Sequence, residues 1–493
     1  GRGMLAAALC VSLLAWWPGS LDGLRAASET SAVLVERPAS VLRITGDGRA
    51  RFAHGLVSAD VLSLSAAVAE ATLLDPAGQT LSTLTIVEAA RGGGGEDELL
   101  AIGPYGQGGQ LFAFFDKYAF PADCVMPADA SAEYTCYEVF GPSASSALTE
   151  ALRKMCGEVV ESESTLPARR CALRFALAEE SGTASAKAAE VVVWGSGSLG
   201  FDHAWSVLVP RIAGIGENEA QDTLRAAVLR TGGVDAAASI GSIDGIGASG
   251  ASGAWEVLRV LRGRPALKAE YGRGQPDAAG GARTSSGTKS PSPLELALWS
   301  SVHLDKGCYL GQEVISRLAR APRLRQELWG VHFEQTTPQL AQIAAASTAA
   351  ADDGAPLGAV CADCEVAMHA CAANVEASGV ALQKPCGVLT SLLCFGDDGS
   401  FGLAMIKSSS GVGVGGKVRV QGANEEGGSV GTVVHLAFAT RAGEQAGGGR
   451  GEPMSEKELA DAEATEAKKA AEAERKAARL AAMAAKMKEL GLA

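Results

Sequence analysis

Lys306-Gly307-Cys308-Tyr309-Leu310-Gly311-Gln312-Glu313, running into Val314-Ile315-Ser316-Arg317-Leu318, is the stretch on which the reading of this chain turns. Gly307 directly before the cysteine and Gly311 three residues after it permit a turn with positive φ. From Gln312 onward the spacing is helical. A thiol held there lies near a helix N-terminus and beside Lys306, and both favour thiolate. Two readings follow: a cysteine presented for chemistry or capture, or a tight turn around a packed cysteine, because free cysteine is commonly buried.

The chain has 493 residues and is 47% hydrophobic, enough to bury sizeable cores. Its length suggests about three domains. The 61 glycines and abundant alanine point to long insertions rather than extra domains. A formal net charge of -13 with no basic stripe excludes a broad grip on nucleic acid, which needs clustered Lys and Arg. Eleven cysteines scattered over this length do not form a small disulfide scaffold, so a reducing compartment is expected. Cys361 and Cys364, with His369, Cys371 and Cys386, have the look of a chelating group. Their wide later spacing and Ala-rich context argue against a metal site.

The signature resembles that of the YgfZ-type folate-binding proteins and their mitochondrial relatives, assembly factors that help mature iron-sulfur proteins. Other segments agree in order: Leu42-Arg43-Ile44-Thr45-Gly46, Phe52-Ala53-His54-Gly55-Leu56-Val57, Leu74-Asp75-Pro76-Ala77-Gly78, Leu258-Arg259-Val260 with Gly263-Arg264-Pro265, and Pro293-Leu294-Glu295. The likeness covers roughly residues 31 to 440 with insertions. It implies an α+β fold like that of the aminomethyltransferase of the glycine cleavage system, followed by a small C-terminal β-barrel and a helical tail. The implied division is a targeting segment at 1–30, a folate-binding region with insertions at 31–330, a barrel with an Ala-rich insertion at 331–440, and a charged helical tail at 441–493.

The function so implied is that of a folate-binding accessory factor for iron-sulfur cluster assembly, with Cys308 as the working thiol supported by Lys306, Gly307, Gly311 and Gln312. Soft thiolate suits transient contact with iron or sulfur species. One cysteine cannot hold a cluster that ordinarily wants four ligands, so a cluster would be shared with a partner scaffold, carrier or client enzyme. Tetrahydrofolate is the implied cofactor: its pterin wants a carboxylate and a flat wall, and its polyglutamate tail wants cations. Glu295 and Tyr309 are the candidates for the first two, and Arg259 and Arg317 for anion contact or for pairing with Glu313. Structural roles stand beside these: a helix cap for Glu295, a core wedge for Tyr309, surface ion pairs for the arginines. The alternative is a tetrahydrofolate-dependent transferase or demethylase. Against it, the acid central to aminomethyl transfer is replaced by Leu81, Ser82 or Thr83, none of which ionises near neutral pH. The family's folate segment is likewise replaced, by Trp194-Gly195-Ser196-Gly197-Ser198-Leu199-Gly200.

The remaining stretches are read from pattern. Met4 to Trp17 is an apolar run too short to span a bilayer, with Arg2 before it and Pro18-Gly19-Ser20 after. It resembles a signal-peptide core and, with Arg25, leaves an organellar presequence open; the resemblance favours the mitochondrial matrix over a plastid. No stable membrane insertion is expected. Leu111 to Phe115 and Tyr134 to Phe140 read as strands, Ser143 to Met155 and Ala254 to Arg262 as helices, and short strands recur between Leu328 and Ala437. Gly245-Ile246-Gly247-Ala248-Ser249-Gly250 matches a dinucleotide fingerprint in letters only, because no hydrophobic strand precedes it. Residues 272 to 292 read as a loop able to act as a lid. In the tail, Ser455 and Glu458 form a capping-box pattern.

Overall fold

Two β-sheets stacked face to face, each carrying helices on its outer side, make the body of the protein. The computed structural model describes residues 16–63, 68–88, 98–156, 166–168, 171–177, 190–196, 198–201, 203–211, 219–240, 251–267, 269–272, 290–349, 367–370, 387–410, 412–420 and 429–441. The fingerprint-like glycines, most of the 272–292 loop, the four clustered cysteines and the capping-box tail lie outside these residues.

The first sheet has the order Val234–Asp235, Val33–Arg37, Tyr134–Phe140, Ala204–Pro210, Glu190–Gly195, Ala172–Ala176. All its pairings are antiparallel except the short one between Val33–Arg37 and Val234–Asp235. The second sheet, antiparallel throughout, runs Val68–Leu74, Thr80–Glu88, Glu98–Pro104, Ala39–Thr45, Met126–Asp129. Strand side chains alternate between faces. One face of the first sheet packs Val139, Val193 and Val207 against the helices Ala144–Cys156 and Glu219–Arg230. The second sheet packs Leu42, Ile44 and Leu84 against Arg49–Leu56 and Gly108–Tyr118. The opposite faces meet each other through Val41, Leu100 and Ile102 on one side and Cys136, Val192, Trp194 and Leu208 on the other.

Six strands close into a C-terminal barrel: Gln326–Phe333, Ser400–Lys407, Gly387–Cys394, Ala367–Ala370, Lys417–Val420 and Ser429–Val434, the last pairing back on the first. Helix Ala251–Arg262 bridges body and barrel: Leu258 packs with Val33 and Phe140, while Val257 and Val260 pack with Leu403 and Met405.

The structure corrects one element and adds another. Leu111 to Phe115 lies inside a helix, Gly108–Tyr118, with Leu111 and Phe115 buried at i and i+4. The continuous run Leu-Phe-Ala-Phe-Phe carries no period by which to separate a strand from a buried helix. Residues 16–30, read as part of a targeting segment, pack into the fold. Trp16 stacks on Phe401 at 6.0 Å between ring centroids. Leu21 joins the barrel cluster, and Leu24 and Ala27 of helix Asp22–Thr30 are buried against Val33 and Phe140.

Leu24 is 1% exposed. Replacing it with Ala is expected to cost about 2–5 kcal/mol, the usual range for such a cavity. Denaturant unfolding of the full chain checks this; an unchanged midpoint would mean that the segment is dispensable to the fold.

Candidate functional site

Gly311 sits at φ +81° as the residue before helix Gln312–Arg320. A Cβ there would stand 2.6 Å from the carbonyl oxygen of Asp75, so glycine is required both for conformation and for space. The neighbour is the Asp75-Pro76-Ala77-Gly78 turn, closed by the Gly78 N–H on the Asp75 carbonyl and by the Gln79 N–H on Asp75 Oδ1. Gly78 in turn lies under Val314. The two motifs therefore interlock, and the hairpin turn of the second sheet becomes the seat of the signature.

Lys306 fastens the front of the same turn. Its Nζ is buried and donates to the carbonyls of His54 (2.5 Å), Val57 (2.7 Å) and Ala59 (2.8 Å). These three acceptors match the three donors of an ammonium. Burial pushes its pKa down to about 8, with Asp60 opposing; the amine remains mostly charged at pH 7. Its Nζ also lies 4.9 Å from the centroid of the Tyr309 ring. Gln312 Nε2 reaches back to the Lys306 carbonyl at 3.3 Å.

This leaves Cys308 exposed, with exposed Gly307 before it. His54 Nε2 lies 3.6 Å from the place a Cβ on Gly307 would occupy. On the other side of the ring, His54 Nδ1 is 3.2 Å from Asp60 Oδ1. Burial and the Lys306 charge hold the His54 imidazole below its ordinary pKa, against the pull of Asp60. Burial raises the Asp60 carboxyl, but its hydrogen bonds with Ser63 and the nearby His54 outweigh that and leave it below the usual range. The two residues before Cys308 thus lie against the 54–60 segment: Lys306 on its carbonyls, and Gly307 beside the His54 ring that pairs with Asp60.

The other expected site residues fall in different places. Tyr309 is buried with Leu74, Leu294, Trp299 and Ile315, its hydroxyl meets no hydrogen-bond partner among the described residues, and burial raises its pKa. Glu313 and Arg317 are exposed on the helix. Glu295 Oε2 accepts from the N–H and the hydroxyl of Ser292, a local cap. Arg259 is buried beside the barrel, paired with Glu256 and Glu270 and donating to Ser391 Oγ. Lys306 and Gln312 bond within the signature, whereas Arg259 is held by Glu256 of its own helix, Glu270 of the segment after it and Ser391 of the barrel.

A second polar group lies where the stacked sheets lose their apolar contact. Alternation puts Glu138 on the face of Cys136, Ser206 on that of Leu208, and Thr83 and Thr85 on that of Val87. Glu138 accepts from Ser206 Oγ at 2.7 Å and from the Ser198 hydroxyl, and lies 3.4 Å from Arg37 Nη1. Thr85 Oγ1 donates to Glu70 Oε1 at 3.0 Å, and Arg264 Nη2 is 3.6 Å from Glu70. The Thr83 and Tyr271 hydroxyls are 2.8 Å apart. Arg37 lies 5.6 Å from the centroid of the Trp255 ring and Arg264 4.9 Å from that of Phe438. Burial, with Arg37 nearby, lowers the Arg264 pKa. Burial raises that of Tyr271 to about 12. Sequence reasoning missed Glu70, Glu138 and Arg37, whose role depends on which faces the sheets turn to each other. Of the three positions proposed for the missing acid, Ser82 bonds Gln107 (2.7 Å) and Thr83 enters this polar group. Strand Thr80–Glu88 links the two sites, since Thr80 to Thr85 spans roughly 17 Å at the usual strand rise.

No family model matches the chain. Along 79 residues it is 37% identical to the chloroplastic "putative transferase" of Arabidopsis thaliana, an alignment covering 16% of this chain and 15% of that protein. The crystal structure of glycine cleavage system aminomethyltransferase T from Bartonella henselae matches 87% of this chain and 90% of its own, with a TM-score of 0.54 and 15% identity. The heterotetrameric sarcosine oxidase of Corynebacterium sp. matches at a TM-score of 0.26, 18% identity, 43% of this chain and 94% of that one, too low to argue from. The fold is that of the aminomethyltransferases: mixed α and β, several sheets and a curled C-terminal sheet.

Lys306→Met removes one donor group from three carbonyls and is expected to destabilise the protein by about 1–3 kcal/mol, the cost of leaving buried polar groups unmade. The same variant should loosen the turn, read as faster backbone hydrogen exchange at 307–312. Equal exchange in variant and wild type would remove Lys306 from this role.

Proposed function

We propose that this protein is a folate-binding accessory factor in the maturation of iron-sulfur proteins, acting through Cys308 on a rigid turn. The observation that carries the reading is the pairing of an exposed Cys308 with a transferase position that holds no acid: Thr83 is bonded to Tyr271, Ser82 to Gln107. A thiol on a fixed turn suits brief capture of an iron or sulfur species, which is cargo here, and a partner would supply the remaining ligands.

Tetrahydrofolate fits the donor set between the sheets. Glu70 and Glu138 are carboxylates of the kind that take pterin N–H groups, Arg37 and Arg264 suit its anionic end, and Trp255 and Phe438 offer flat walls. Glu70 is the accessible carboxylate of the pair, with 30% of its side chain exposed against 2% for Glu138. When bound, the folate supplies a carrier for one-carbon units. The protein's own groups orient it, and the polar side chains already hydrogen-bonded around it limit rearrangement. Arg259, Glu295 and Tyr309 contribute indirectly, by fixing the bridging helix, the 292–295 turn and the wall beneath the signature.

The compartment is proposed to be a plastid, supported by the chloroplastic relative, with the mitochondrial matrix as the alternative. Among the described residues no helix is long and apolar enough to cross a membrane. The second reading, a folate-dependent transferase or demethylase, is favoured by the name of that same relative.

Cys308→Ala should fold normally and keep its folate affinity, yet lose the ability to restore iron-sulfur enzyme activity in cells that lack the protein; full restoration would overturn the proposal. Glu70→Gln should weaken tetrahydrofolate binding roughly tenfold, as expected for loss of a charged hydrogen-bond partner, measured by calorimetry. Formation of methylenetetrahydrofolate from a methylamine by the purified protein would favour the second reading.

A further inference from the structure

Helix Gln312–Arg320 carries Arg317 and Arg320, and the segment after it carries Arg323 and Arg325. All four are exposed. Among the described residues none of their guanidinium groups meets a hydrogen-bond or ion-pair partner. This is unusual company for a chain of net charge -13, in which other exposed or half-exposed arginines such as Arg225 and Arg230 are paired with Asp235 and Glu150. The row is rigidly mounted, because Ile315 and Leu324 are buried in the cluster that holds Tyr309. It starts from the same helix whose first turn supports Cys308.

We propose that this arginine row is the docking surface for an acidic protein partner, which it steers to Cys308. The inference rests on the maturation reading, since that reading requires a second protein at the thiol. Arg317 and Arg320 are three apart on one helix face, and Arg323 and Arg325 follow in the bends that lead to strand Gln326–Phe333, so the row spans at most roughly 20 Å. That length suits several carboxylates on a protein surface rather than one small anion. Guanidinium is the side chain best suited to bidentate carboxylate contact. Nucleic acid is disfavoured by the charge of the rest of the molecule. Opposite charges at the rim of an interface act mainly on the rate of encounter and on partner choice.

The other occupant that the test must distinguish is an acidic stretch of this chain's own sequence. Arg441 is 3.3 Å from Glu327 and donates to the Leu328 carbonyl, close in sequence to Arg325. Beyond it come Glu452, Glu456, Glu458, Asp461, Glu463 and Glu466.

The test uses the full chain and a fluorescein-labelled oligoglutamate peptide, with binding read by anisotropy across a salt series. The wild type should bind with an affinity that falls as salt rises. Replacing all four arginines with Gln should weaken binding about tenfold or more at an unchanged melting temperature. The four-Lys variant should keep an intermediate affinity, since it retains charge without the bidentate fork. Bound peptide should also slow hydrogen exchange at 312–325. Equal binding by wild type and the four-Gln variant overturns the proposal. So does a wild type that binds only after the six tail acids are changed to Gln and Asn, because the row would then belong to the chain's own tail. Failure of Cys308→Ala to affect cluster enzymes would sink the maturation reading and leave these binding data to stand or fall by themselves.

Discussion

A single buried ammonium ties the signature to the rest of the molecule. Lys306 Nζ gives its three donors to carbonyls at the end of helix Arg49–Leu56 and just beyond it. Helix ends leave carbonyls without intrahelical partners, and here two needs are met at once: the carbonyls gain a donor, and a lysine taken out of water regains a full set of acceptors. The cost of burial shows in its lowered pKa of about 8. With the front of the turn fixed by Lys306 and its back fixed by the close approach of Gly311 to Asp75, Cys308 has little choice but to face outward.

The stacked sheets obey a second constraint. Their shared face is apolar near Cys136 and Leu208 and polar near Glu138 and Ser206, only two residues along each strand. Polar groups so deep must satisfy one another, and those of Arg37, Glu138, Thr85, Glu70, Ser198 and Arg264 largely do. Such an arrangement is rigid, because each group is held by its neighbours. Strand Thr80–Glu88 belongs to both places, starting at the signature's seat and passing through the polar centre at Thr83 and Thr85.

Much of the fold could be read from the sequence where local pattern and tertiary need agree. The strand Tyr134–Phe140, the helix ending at Arg262 and the short strands of the barrel lie where their patterns put them. Leu111 to Phe115 failed because apolar residues on every side of a short run conceal its period. The site was half legible. Glycines and cysteine announce a tight turn by type and spacing and leave open whether its thiol is presented or packed, while the acceptors of Lys306 and the imidazole of His54 come from a stretch some 250 residues earlier in the chain. By sequence Arg259 is a candidate for anion contact or for pairing with Glu313, yet Glu256 one turn before it and Glu270 just after the helix hold it. Charge pairing across turns is local but its geometry is not, and letters alone do not reveal which arginines are spent.

The most direct measurement is peptide-resolved alkylation of the folded protein near neutral pH. Cys308 should react with iodoacetamide at the rate of an accessible thiol, while buried Cys136, Cys156 and Cys394 stay protected until the protein unfolds. Protection of Cys308 equal to theirs would contradict the account, for the turn would then hide the atom it is held to present.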